Sequence, residues 1–217
     1  LGKVAETSLD YATASDNYRQ AESLAATPVE HLGTLRGLIE TETFVDSDAA
    51  VADLARVQQW LVDPSVDNVA RAALKRVESQ LLLNRGDFAG ARTAAGEGVK
   101  LLGGLTSRTD LNDVAVRSNY AIAAMMLGER DDARKYMAYT GAGRVSTGSF
   151  DPAVQMTPPD CGGDSDLRPD DIAVVEFSIG DDGTIVYASP VYASRGGEVA
   201  LQFARAVRGW SWKPEQV

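Results

Sequence analysis

Few side chains in this 217-residue chain have the type and spacing that chemistry requires. Its one histidine, His31, sits in Val29-Glu30-His31-Leu32-Gly33. A histidine beside a glutamate becomes hydrolytic only with an oriented nucleophile, and none accompanies it, so His31 reads as a surface or packing residue of a helix. The one cysteine, Cys161, lies in Pro158-Pro159-Asp160-Cys161-Gly162-Gly163, with no cation nearby to stabilise a thiolate. One Cys and one His cannot build a Cys/His zinc site. Asp160, Asp164, Asp166, Asp170 and Asp171 supply carboxylates of the kind calcium prefers, but their spacing is not that of a calcium loop with a closing Glu. They read as a solvated acidic linker. Gly141-Ala142-Gly143-Arg144-Val145-Ser146 half-matches a dinucleotide loop, yet it follows a helix and lacks the third glycine, and no Walker A sequence occurs. Arg76 and Gln80 remain. Four residues apart on one helix, they lie side by side, a guanidinium and an amide suited to a peptide carboxylate or an acidic side chain. The competing reading is a solvated helix face. No catalytic residue, cofactor or metal is expected, so the chain reads as a non-enzymatic binding protein.

The elements that must position these residues fall into two grammars. Residues 1–140 are rich in Ala, Leu, Arg and Glu, and apolar residues recur at helical spacing, as in Leu54/Val57/Leu61 and Leu74/Val77/Leu81. Helices are predicted at 8–26, 28–44, 48–62, 65–85, 87–102, 111–128 and 130–140, with Pro28 and Pro64 each in a first turn. Residues 141–171 hold several Gly and Pro and keep no period, which makes them an acidic linker. At 172–217 the pattern changes. Val175, Phe177 and Ile179 alternate with Val174, Glu176 and Ser178, Gly180-Asp181-Asp182-Gly183 signals a hairpin turn, and Thr184–Tyr192 returns. Pro190 bends that strand or places it at an edge. A helix over 197–209 carries the stripe Val199, Phe203, Val207 and Trp210, which should cover the hairpin. The predicted fold class is α+β.

Charge follows the same division. The net charge is −10, which argues against nucleic acid as a partner because phosphate neutralisation needs a basic surface. Residues 151–182 alone carry nine acidic residues and one basic, Arg168. No stretch approaches the ~18 apolar residues of a membrane span.

Within the helical part, Gly86-Asp87-Phe88-Ala89-Gly90-Ala91 has a degenerate copy in Gly128-Glu129-Arg130-Asp131-Asp132-Ala133. Each places a Gly at a helix end, then an acidic turn, then a small Ala for close packing. These residues resemble the tetratricopeptide repeat family. The spacing of 41 residues from Ala50 to Ala91 and 42 from Ala91 to Ala133 exceeds that family's usual ~34, and the loop 103–108 accounts for part of the excess. In such arrays Arg76 and Gln80 would line a concave groove. An ordinary antiparallel bundle is the alternative.

The strand Val174–Ile179, the Asp182-Gly183 turn and the helix ending in Ala206-Val207-Arg208-Gly209-Trp210-Ser211-Trp212-Lys213-Pro214 resemble the C-terminal domain of TonB, the periplasmic energy transducer of Gram-negative bacteria. The resemblance covers about 157–217. It implies a periplasmic, cell-envelope protein that binds a peptide, such as that of an outer-membrane receptor, by β-strand addition. It also implies a third strand beyond the sequence, and membrane association only through a segment not present in it. In a periplasmic setting an unpaired Cys161 is unusual, which suggests a disulfide partner outside residues 1–217; an inert thiol is the alternative. The second functional expectation is a helical-repeat adaptor or assembly protein with no role in energy transduction.

Overall fold

In the computed structural model, residues 1–141, 156–161 and 167–213 are described. They form nine helices and a two-stranded antiparallel sheet, an α+β arrangement. The helices are α1 (Gly2–Thr7), α2 (Tyr11–Leu24), α3 (Pro28–Val45), α4 (Ser47–Val57), α5 (Asn68–Asn84), α6 (Phe88–Leu101), α7 (Leu111–Met126), α8 (Arg130–Ala138) and α9 (Gly197–Arg208). The strands are β1 (Ala173–Ile179) and β2 (Ile185–Ala193).

Much of the acidity in the helical part is spent on helix starts. Asp10, Asp46, Asp67, Asp87 and Asp110 cap α2, α4, α5, α6 and α7, each accepting from a backbone N–H of the first turn. Thr27 and Glu30 form a full capping box on α3, with Pro28 just inside it. Such caps contribute about 1 kcal/mol each and satisfy donors the helix leaves open. Helix ends are set equally locally. Gly86 and Gly128 both have φ of 79°. Gly86 N–H donates to Leu83 O and Asp87 N–H to Leu82 O, and Gly128 and Glu129 repeat this pattern on Met125 and Ala124. An L-residue would be strained at that φ, so the two Gly-acid turns are equivalent in structure as well as in sequence.

Two boundaries differ from the sequence reading. The predicted helix at 8–26 is α2, which starts only at Tyr11 because Leu9 takes a φ of 60° and Asp10 caps the new helix, and the short α1 ahead of it was not predicted. Pro64 lies in a turn ahead of α5, whose cap is Asp67, so α4 ends at Val57 and α5 begins at Asn68.

Each helix from α2 to α4 and from α5 to α8 packs on its sequence neighbour, and α3, α5 and α7 also pack in a row. Leu35, Leu38, Ile39, Val57, Leu74, Val77 and Leu81 form the main core between α3, α4 and α5. Arg117 of α7 is fully buried; it pairs with Asp113 and donates to Arg108 O and Tyr139 O, which pins the loop before α7 to the end of α8.

A second polar group is buried between α2, α3 and α4. Ser15 Oγ donates to Glu42 Oε1 at 2.9 Å, and Arg19 pairs with the same oxygen. Glu42 Oε2 and Asp53 Oδ2 are buried with no hydrogen-bond partner among the described residues. Burial raises the Glu42 carboxyl from its ordinary 4.5 to about 7, with the nearby Asp53 adding to the rise and Ser15 and Arg19 opposing it. His31, in a packing position as expected, pairs through Nδ1 with Glu22 at 2.9 Å and stacks on Trp60 at 4.0 Å.

The hairpin has its tight turn at 180–183, where Gly183 N–H donates to Gly180 O and Gly180 N–H to Thr184 O, both at 2.8 Å. α9 lies on the hairpin and also on α3. That double contact explains why Ala200, Leu201 and Ala204 are buried in addition to Val199 and Val207 of the predicted stripe. Leu9, Tyr11 and Phe44 from the helical part share one apolar cluster with Ala193, Val199, Leu201 and Ala204, and Leu167 joins it. Gly197 approaches α3 so closely that a Cβ there would lie 2.7 Å from Phe44 O.

Candidate functional site

The hairpin lies across the face of α5 that carries Arg76 and Gln80. Arg76 pairs with Glu40 of α3 and donates to Gln80 Oε1 at 3.3 Å. Gln80 Nε2 donates to Pro190 O of β2 at 3.1 Å. The two residues singled out from spacing are therefore brought together, and each has an intramolecular partner. They line a polar cleft of about 170 Å³ whose other walls include Glu6, Glu40, Glu176 and Tyr187. Burial pulls the Arg76 guanidinium below its ordinary range, and the Arg36 charge acts in the same direction, while Glu176 opposes it. Across the cleft, the Tyr11 hydroxyl and Ser189 Oγ are 3.2 Å apart, and burial pushes the Tyr11 phenol above its usual range. A carboxylate seeking Arg76 would have to displace Glu40.

The two edges of the sheet differ. At the turn end of β2, Trp212 N–H donates to Gly183 O at 2.8 Å and Ser211 bridges Thr184. At the other end, Asn84 of α5 acts as an edge strand would. Its Nδ2 donates to Val191 O at 2.9 Å and its Oδ1 accepts from Ala193 N–H at 3.2 Å. With Gln80 on Pro190 O, the outer edge of β2 is held at both ends. Nothing local in the sequence marks this role, since Asn84 reads as part of the Gly86 turn.

The outer edge of β1 is different. Ser194 N–H donates to Ile172 O and Gly180 N–H to Thr184 O, so the even-numbered residues of β1 turn their amides toward β2. Alternation then aims the N–H and C=O groups of Ala173, Val175, Phe177 and Ile179 outward. Among the described residues no strand pairs with that edge. Side chains alternate in the predicted sense: Val174, Glu176 and Ser178 are exposed, whereas Val175, Phe177 and Ile179 are half-buried. Phe177 is held by Trp212, stacked at 5.7 Å, and by Trp210, edge-on at 6.0 Å.

Cys161 is exposed, with its Sγ 3.9 Å from Pro159 O. Asp171 is no solvated linker residue: Arg195 grips it through Nε at 2.7 Å and Nη2 at 2.5 Å and holds its carboxyl well below the usual range. Asp170 is exposed. Asp164, Asp166 and residues 142–146 of the glycine-rich loop lie outside the described residues. Among the described residues no group of three or more His, Cys, Asp or Glu converges on a metal-sized site, and no helix is long and apolar enough to cross a membrane. A separate apolar groove of about 480 Å³ opens on the helical part, with Leu54, Val57, Leu61, Leu74 and Leu101 in its lining.

Comparison with protein-family models, with curated proteins and with solved structures finds no match.

Proposed function

We propose that this chain is a non-enzymatic interaction protein of the cell envelope that takes an extended peptide by strand addition along β1. In this reading the hairpin and α9 form a TonB-like module, and the helices form a tetratricopeptide-like docking scaffold. The periplasm is the proposed location and an outer-membrane receptor the proposed source of the peptide. The observation that carries the reading is the asymmetry of the sheet: β2 has its outer edge occupied by Trp212, Gln80 and Asn84, while β1 offers four outward-facing residues and no pairing strand among the described residues. Main-chain hydrogen bonds supply the affinity in such contacts, and alternate side chains supply the specificity.

The test is an amide-resonance titration of the full chain with extended peptides taken from outer-membrane receptors. Shifts should centre on Ala173, Val175, Phe177 and Ile179, and N-methylation of alternate peptide amides should abolish them. Binding that survives such methylation, or no shift along β1, overturns the proposal.

The second reading, a helical-repeat adaptor without a role in energy transduction, is favoured by the apolar groove at Leu54, Val57, Leu61, Leu74 and Leu101. Shifts confined to those residues in the same titration with a partner protein would select it.

A further inference from the structure

The polarity of the β1 edge says what kind of peptide would sit there. Glu176 is the middle residue of the exposed face of β1 and its carboxylate makes no ion pair within 4 Å among the described residues. Its own N–H and C=O face β2, where it pairs with Ser189. On the outer side Glu176 is therefore the non-hydrogen-bonded position, the one at which an incoming residue's side chain comes closest to its cross-strand neighbour. Both ends of the strand repeat the sign: Asp170 precedes it, Asp181 and Asp182 follow it, and all three are exposed. Three of the nearby cations are already engaged. Arg195 is bound to Asp171, Arg76 to Glu40, and Lys3 to Glu6. Arg168 is the sole basic residue of the stretch 151–182.

From this geometry, and resting on the strand-addition reading above, we infer that β1 selects a cationic extended peptide, with a Lys or Arg seated across from Glu176. Flanking basic residues meet Asp170 at one end and Asp181–Asp182 at the other. Peptide residues on the same face as that Lys or Arg would lie against Val174 and Ser178, so a small or apolar residue two positions to either side suits the strand.

The experiment measures fluorescence anisotropy of the full chain with three labelled octapeptides of one β-forming sequence, carrying Lys, Gln or Glu at alternate positions. The Lys peptide should bind tightest and lose affinity as salt is raised. Glu176→Gln should weaken it about two- to fivefold, and Glu176→Lys should weaken it about tenfold and raise the affinity for the Glu peptide. Asp131→Lys, a charge reversal on α8, should leave the ranking unchanged. A ranking that Glu176→Lys does not alter, or that Asp131→Lys alters equally, overturns the inference and leaves strand addition standing. Absence of binding by all three peptides overturns strand addition itself. Because Glu176 is exposed, both of its variants are expected to fold, and their far-ultraviolet circular dichroism should match that of the parent.

Discussion

The helical array and the C-terminal hairpin meet their structural requirements in opposite ways. In the array most helices are closed by their own neighbours in sequence: an Asp caps α2, α4, α5, α6 and α7, and left-handed glycines end α5 and α7. The buried residues of its main cluster, from Leu32 to Leu81, are helical apart from Val66, and Trp60 and Leu61 of the same connection pack against them. The hairpin has only two strands, which is marginal in isolation. It takes an apolar floor from Leu9, Tyr11 and Phe44, and hydrogen bonds for one edge from Gln80 and Asn84. Among the described residues, one edge of this small sheet has no pairing strand, while α5 holds one end of the other edge. The array is a scaffold in a literal sense: it completes the element that it carries.

This contrast can be broken most directly at Phe44. Phe44→Ala removes a buried ring that touches both regions and packs 5.8 Å from Tyr11, and should cost about 3–5 kcal/mol. Hydrogen exchange should show β1, β2 and α9 losing protection before α5 and α6. Equal loss in all elements would mean that the hairpin is not the dependent partner.

A smaller effect tests the array alone. Glu42 keeps its proton in the folded chain up to about pH 7, whereas an unfolded chain releases it near 4.5. The folded state therefore binds more protons between these values, and stability falls as pH rises through that window, by about 3 kcal/mol for this group. Glu42→Gln should flatten that part of the stability–pH curve and raise the melting temperature at pH 8 but not at pH 4. Chemical denaturation across the range measures both.

The smallest change lies at the edge of β2 that α5 holds. Asn84→Ala leaves Val191 O and Ala193 N–H without their side-chain partners and should cost about 1–2 kcal/mol. Exchange at the Ala193 amide should accelerate while the core amides of α5 keep their protection.

How much of this was legible in the sequence depends on the range of the interaction. The hairpin turn at 180–183, the cover helix α9 and the α5–α8 helices follow from period and turn chemistry within a few residues. The break at Leu9 was not legible, because a positive φ at a leucine has no local signature and the residue is held by its buried place beside Tyr11 and Phe44. Pro64 misled for the complementary reason: proline is compatible with a first helical turn, but the Asp67 cap three residues later decides where α5 starts. Arg76 and Gln80 were found by spacing, yet their partners Glu40 and Pro190 lie in other elements.

The amino-acid sequence by itself determined the helices, the hairpin, the alternation that exposes Glu176 and the concentration of negative charge around β1, because each arises from neighbours along the chain. Which sheet edge is held, and which has no pairing strand among the described residues, is set by packing between distant segments. That choice rests on contacts such as Asn84 with Val191, 107 residues apart, and no local period records a hydrogen bond formed when distant segments pack.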